Sequence, residues 1–207
     1  MMDNKVILDK IQNVSKRTIP LLIEKGLTIS TAESCTGGML SEVITSVSGA
    51  SNIFEIGISA YTSRIKHEAL SVPMSVLQTE GAVSLKTAMY MAKNILTLSG
   101  SKIGVGITGN AGPTASENKP VGLVYIAIAD EYTYFVKKIQ YPETANRDTI
   151  RLCATLNALE LIYKYASSSS ALLGQMVPYE EEIFIDDNSS GYNDLGLFEL
   201  NLAPINA

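Results

Sequence analysis

The chain reads as an α/β protein, a three-layer α/β/α sandwich around a mostly parallel mixed sheet. Two observations predict that class. Short β-branched and aliphatic segments alternate with amphipathic stretches as far as residue 166, the rhythm of crossover connections between parallel strands. Two of the strand candidates, VGLVYIAIA and YTYFVKKIQ, stand side by side around Asp130 and Glu131, which predicts one antiparallel hairpin. With 207 residues, 46% of them hydrophobic, the chain can build one substantial core but not two domains with linkers.

The elements follow in order. Ile7, Ile11 and Val14 recur at helical spacing before Gly26, so an amphipathic helix opens the chain, bent by Pro20. LTISTAE, 27–33, predicts a strand, SCTGG a tight turn with capping hydroxyls, and MLSEVITSV a helix. IGISAYT, 56–62, predicts the next strand, followed by two short helices and a longer one over 83–99 that Gly100 stops. KIGVGITG and the two hairpin segments are three further strands. Asn146 caps a last helix in which Leu152, Leu156, Leu159 and Tyr163 form one stripe. The domain is therefore 1–166. Residues 167–207 are a separate acidic and polar appendage, with four consecutive serines, the run Glu180 to Glu182 and no sustained periodicity. They are expected to be partly disordered or bound to a partner.

Composition excludes several functions. A net charge of -5 argues against nucleic-acid or polybasic membrane binding, so any anionic ligand needs a local basic pocket. Cys35 and Cys153 are far apart and carry no CxxC partner, which removes a disulfide framework and a thiolate metal site. Free thiols, an amino terminus without a signal-like apolar run and the lack of a 20-residue apolar segment predict a cytoplasmic protein. His67 is the only histidine, so a multi-histidine metal site is impossible, and its place beside Lys66 reads as surface.

Two patterns compete for the chemistry. GVGITG, 104–109, satisfies G-x-G-x-x-G with Asp130 downstream, but NAGPTASENKPVG follows it where a dinucleotide site needs a helix. No phosphate-loop sequence with G-K-[ST] occurs either. The second pattern is Ser51, in a Gly/Ala/Ser turn, with Lys66 fifteen residues later. A serine nucleophile without a histidine needs another base, and lysine serves once burial or a neighbouring cation lowers its pKa. Arg64 is close in sequence, and Arg147 and Arg151 are spatial candidates that could equally hold a substrate phosphate. Spacing alone leaves a catalytic pair open against a turn residue and a solvated lysine.

TAESCTGG, GAVS, ITGNAGP and KPVGLVYIAIA occur in that order, and on them the chain resembles the CinA C-terminal domain family, which includes stand-alone nicotinamide-mononucleotide amidohydrolases. The resemblance spans about residues 5–165. It implies a three-layer domain, a homodimer or higher homo-oligomer, that hydrolyses the carboxamide of nicotinamide mononucleotide to nicotinate mononucleotide and ammonia in pyridine nucleotide salvage, with neither cofactor nor metal. It also implies a Ser/Lys dyad, set here at Ser51 and Lys66 with Tyr61 orienting the pair. Oxyanion and substrate contacts fall to the small-residue turns carrying Ser34, Thr36 and Gly37, or Thr108, Gly109 and Gly112. Arg147 is the candidate for the phosphate, with a helix-start contact to Asp148 as its alternative, while Glu33 orients the adjoining loop. The chain departs from the family pattern in the short, glycine-free TASEN before KPVG, and in Asn110 where an aliphatic residue is common. Those departures motivate a rival expectation, a non-catalytic nucleotide-binding or interaction module that kept the fold.

Overall fold

A computed structural model describes residues 3–168 and, for backbone only, Glu181–Phe184. Helix α1 (Asn4–Glu24) starts where the Asp3 side chain accepts from the Lys5 amide, and buries Ile7, Ile11, Ile19 and Leu22. Pro20 lies within α1 rather than ending it. Strand β1 (Ile29–Glu33) leads through the SCTGG turn into the short helix α2 (Met39–Thr45), then a 3-10 helix (Ala50–Asn52) and β2 (Phe54–Ser59). Three helices follow, α3 (Ser63–Leu70), α4 (Met74–Thr79) and α5 (Leu85–Ser99), the last closed by Gly100 in the left-handed region as the sequence predicts. Then come β3 (Ile103–Gly109), β4 (Leu123–Ala129), β5 (Tyr134–Gln140) and α6 (Arg147–Ser167), with the Asn146 side chain accepting from the Thr149 amide.

The strands form one sheet in the order β2-β1-β3-β4-β5-β6, where β6 is Glu181–Phe184. β1 pairs parallel with β2 and β3, whereas β4 runs antiparallel to β3 and β5. The hairpin around Asp130 is present: its carboxylate accepts from the amides of Tyr132 and Thr133 at 2.8 and 2.7 Å. The sequence predicts neither the antiparallel β3/β4 pair nor the parallel β5/β6 pair. Helices α1, α2 and α6 cover one face of the sheet and α3, α4 and α5 the other, so the three-layer sandwich stands. The expected appendage lies outside the described residues, apart from the end of α6 and from β6, which adds a parallel edge strand to β5.

GVGITG has a structural meaning. A Cβ on Gly104 would sit 2.1 Å from the Ala92 carbonyl oxygen, and one on Gly106 2.3 Å from that of Ala88. The two glycines let α5 lie directly on β3, and no helix follows that could receive a dinucleotide. α6 is buried on more than the expected stripe, because α1 covers it on one side and the sheet on the other. Ala154, Thr155 and Ala158 are as deeply buried as Leu159, while Tyr163 stays partly exposed beneath the Arg17 guanidinium at 4.7 Å.

Candidate functional site

The site forms at the carboxyl ends of β1, β2 and β3, the edge at which parallel α/β sheets hold ligands. Register brings two of these ends together: Glu33, the last residue of β1, lies beside Ser59, the last of β2. Ser34 therefore projects from the same edge as Ala60 and Tyr61. From α3, whose first turn is capped by the Thr62 hydroxyl, Lys66 reaches back to this edge and is only 1% exposed. Its Nζ donates to Ser34 Oγ at 2.8 Å and to the Ala60 carbonyl at 2.8 Å, with the Tyr61 carbonyl at 3.5 Å. A lysine ammonium has three donors, and these three neutral acceptors account for them.

No salt bridge to Lys66 forms among the described residues, so its charge is only weakly compensated for the loss of water around it. Burial lowers its pKa from 10.5 to about 8, against smaller opposing contributions from Cys35 and Glu117. Arg64, the sequence candidate for a neighbouring cation, is exposed and paired with Glu68. Burial pushes the Cys35 thiol up to about 12, which leaves it protonated and a poor nucleophile beside Ser34.

The dyad expected from the sequence needs correction. Ser51 lies exposed on the 3-10 helix before β2, and Lys66 lies beyond the opposite end of that strand. Six residues of strand, at about 3.3 Å each, hold the two ends roughly 20 Å apart. The serine that meets Lys66 is Ser34, which the sequence placed among the substrate contacts. A second correction concerns Tyr61. Its carbonyl faces Lys66, but its side chain is 60% exposed and its hydroxyl accepts from Arg147 Nη2 at 2.9 Å.

The turn after Ser34 is held rigidly. Glu33 is buried, and its carboxylate accepts from the amides of Gly38, Leu40 and Ser41 at 3.0, 3.1 and 2.9 Å and from the Ser41 hydroxyl at 2.7 Å. Glu33 thus has the loop-orienting place expected of it, with all four bonds going to the start of α2. Arg151 donates to the Thr36 carbonyl at 3.0 Å, close to where a side chain on Gly37 would stand. Thr36 is fully buried and its hydroxyl has no partner among the described residues.

From the β3 side, Gly112 approaches through its carbonyl, which accepts from Arg147 Nη1 at 2.6 Å. Arg147 makes no contact with Asp148; the weak ion pair of Asp148, at 3.9 Å, is with Arg151. Thr108 and Gly109 serve the scaffold: the Thr108 hydroxyl donates to the Ala82 carbonyl at 2.6 Å, and Gly109 pairs with Val124 in the sheet. His67 is exposed, its Nδ1 2.9 Å from the Val72 carbonyl. No group of three His, Cys, Asp or Glu able to hold a metal occurs among the described residues. No helix there is long and apolar enough to cross a membrane.

A buried serine and lysine at the carboxyl edge of a three-layer sandwich, with two arginines entering from α6, define an α/β domain with a polar site at its sheet edge. The chain belongs to the CinA C-terminal domain family, which matches residues 11–166. A relative from Caldanaerobacter subterraneus subsp. tengcongensis, named as competence-damage inducible, is 42% identical over 155 residues. That match covers 74% of this chain but 37% of the relative, so the chain spans well under half the length of such relatives. Among solved structures, competence/damage inducible protein CihA from Agrobacterium tumefaciens superposes with a TM-score of 0.73 at 35% identity, covering 77% of this chain and 96% of that one. A CinA superfamily protein from Klebsiella pneumoniae also gives 0.73, at 26% identity, with 76% and 98% covered.

Proposed function

We propose that the protein is an amidohydrolase that hydrolyses the carboxamide of nicotinamide mononucleotide, with Ser34 as nucleophile and Lys66 as general base. The observation that carries this reading is the buried 2.8 Å contact between Lys66 Nζ and Ser34 Oγ, made by a lysine whose pKa burial lowers to about 8. At pH 7 about a tenth of such a lysine is neutral, against about one in three thousand at its ordinary value. That neutral fraction is what a serine without histidine requires.

Neutral Lys66 takes the Ser34 proton as Oγ attacks the carboxamide carbon. The amides of Cys35 and Thr36, which face the Cys35 sulfur and donate to no backbone carbonyl among the described residues, are the candidate oxyanion donors. Lys66 then protonates the departing ammonia, and a water molecule, deprotonated by the same amine, hydrolyses the acyl-enzyme. Arg147, whose partners are a carbonyl and a phenol hydroxyl, has no carboxylate partner among the described residues and suits a ligand phosphate. Family membership supports the fold-level part of the reading; substrate and dyad are ours.

The test is ammonia release from purified protein given nicotinamide mononucleotide. Wild-type release, lost in Ser34→Ala and kept in Ser51→Ala, supports the proposal. Loss in Ser51→Ala with Ser34→Ala active overturns the assignment. No release from folded wild type favours a non-catalytic nucleotide-binding module.

A further inference from the structure

The tight turn within the β3–β4 connection lacks the glycine that its geometry asks for, yet its polar groups are closely satisfied. Ser116 to Lys119 form a two-residue turn, with the Lys119 amide donating to the Ser116 carbonyl at 3.0 Å and both central residues at positive φ, Glu117 at 57° and Asn118 at 55°. Asparagine tolerates that region, but glutamate does so poorly, so something outside the turn must hold Glu117 there.

Two sets of bonds do so. Asn110 is 6% exposed; its amide donates to the carbonyls of Ser116 and Lys119 at 3.2 and 2.9 Å and accepts from the Ser116 hydroxyl at 2.7 Å. On the other side, the Glu117 carboxylate accepts from the amides of Ala82 and Val83 at 2.8 and 3.1 Å and from Lys119 Nζ at 3.3 Å. Lys119 also donates to the Val83 carbonyl at 2.7 Å and to that of Glu80. This close approach requires Gly81, at φ 88°, where a Cβ would lie 2.3 Å from Glu117 Oε2. GAVS is thus the socket for Glu117, and Asn110 is matched to the loop it holds.

The same loop contains Gly112, whose carbonyl seats Arg147. We propose that Glu117 is a positioning residue that fixes the β3–β4 loop as a wall of the site, and that through Gly112 this wall sets Arg147 for a phosphate-bearing amide. The inference rests on the amidase reading above. It makes the loop responsible for discrimination between substrates rather than for bond cleavage.

The test compares kcat/KM for nicotinamide mononucleotide and for its dephosphorylated nucleoside, in wild type and in Glu117→Asn. Asparagine suits the positive φ of this turn but is too short to reach both Ala82 and Val83, so the loop keeps its turn and loses its anchor. The expected result is a nucleotide-to-nucleoside preference reduced about tenfold or more, through the KM of the nucleotide, with kcat little changed and thermal stability retained. Glu117→Gln, which keeps one good acceptor oxygen, restores part of the preference. An unchanged preference in Glu117→Asn overturns the inference, as does a parallel fall for both substrates, the mark of a merely structural role. If wild type hydrolyses neither compound, the amidase reading fails first and the specificity role falls with it; turnover of both with no preference overturns the specificity role alone.

Discussion

The two ends of β2 carry or face a serine each, and they differ in everything that makes a serine reactive. At the amino end Ser51 stands exposed on a 3-10 helix. At the carboxyl end Ser34, delivered by the neighbouring strand, is 7% exposed and in contact with a lysine that is 1% exposed. Proximity in sequence to Lys66 favours Ser51, fifteen residues away against thirty-two. A strand between two residues separates them, whereas parallel pairing joins residues that follow different strands. Burial then does the rest, because it is burial that lowers the lysine pKa.

The sharpest break in this contrast comes from removing each serine. Ser34→Ala is expected to lower kcat for amide hydrolysis on the order of 10⁴-fold, read by ammonia release, as loss of a nucleophile does elsewhere. The pH profile follows next in size. Lys66 acts as base when neutral, so kcat/KM should be flat above about pH 8 and fall roughly tenfold per unit below it. A profile flat from pH 6 to 9 would remove Lys66 from the role. Arg147→Ala should raise KM for the nucleotide about 30- to 100-fold, the worth of a charge-assisted phosphate contact, with a smaller effect on kcat.

Lys66→Met separates activity from stability. The folded-state pKa lies below the ordinary one, so the charged form is penalised fully below about pH 8 and the penalty is relieved as pH rises toward 10.5. The methionine variant should be inactive yet, at pH 7, more stable by up to about 3 kcal/mol, measured by denaturant melts. The advantage should shrink at pH 10. The smallest expected effect completes the comparison: Ser51→Ala should leave kcat/KM within about twofold, since surface substitutions away from special features seldom matter.

Much of the scaffold was legible because its signals are local. The Asn146 cap, the Gly100 stop, the Asp130 turn and the strand at 29–33 each depend on neighbours within a few residues. Glu33, Thr36 and Gly37 fall in one turn for the same reason. The α6 stripe was too narrow, because the second layer on that helix is α1, more than a hundred residues away in sequence.

What the sequence determined by itself was the alternation of strands and helices, the failure of GVGITG as a dinucleotide motif, and the presence of small-residue turns at strand ends beside a candidate lysine. What only tertiary structure decided was which serine that lysine meets, that the Tyr61 side chain serves Arg147 rather than Lys66, and that GAVS receives Glu117. The physical reason is common to all three. Hydrophobic period and turn chemistry act over a few residues, while hydrogen bonds at a sheet edge join chain segments that register and layer packing bring together, and neither leaves a mark in the spacing of the residues that meet.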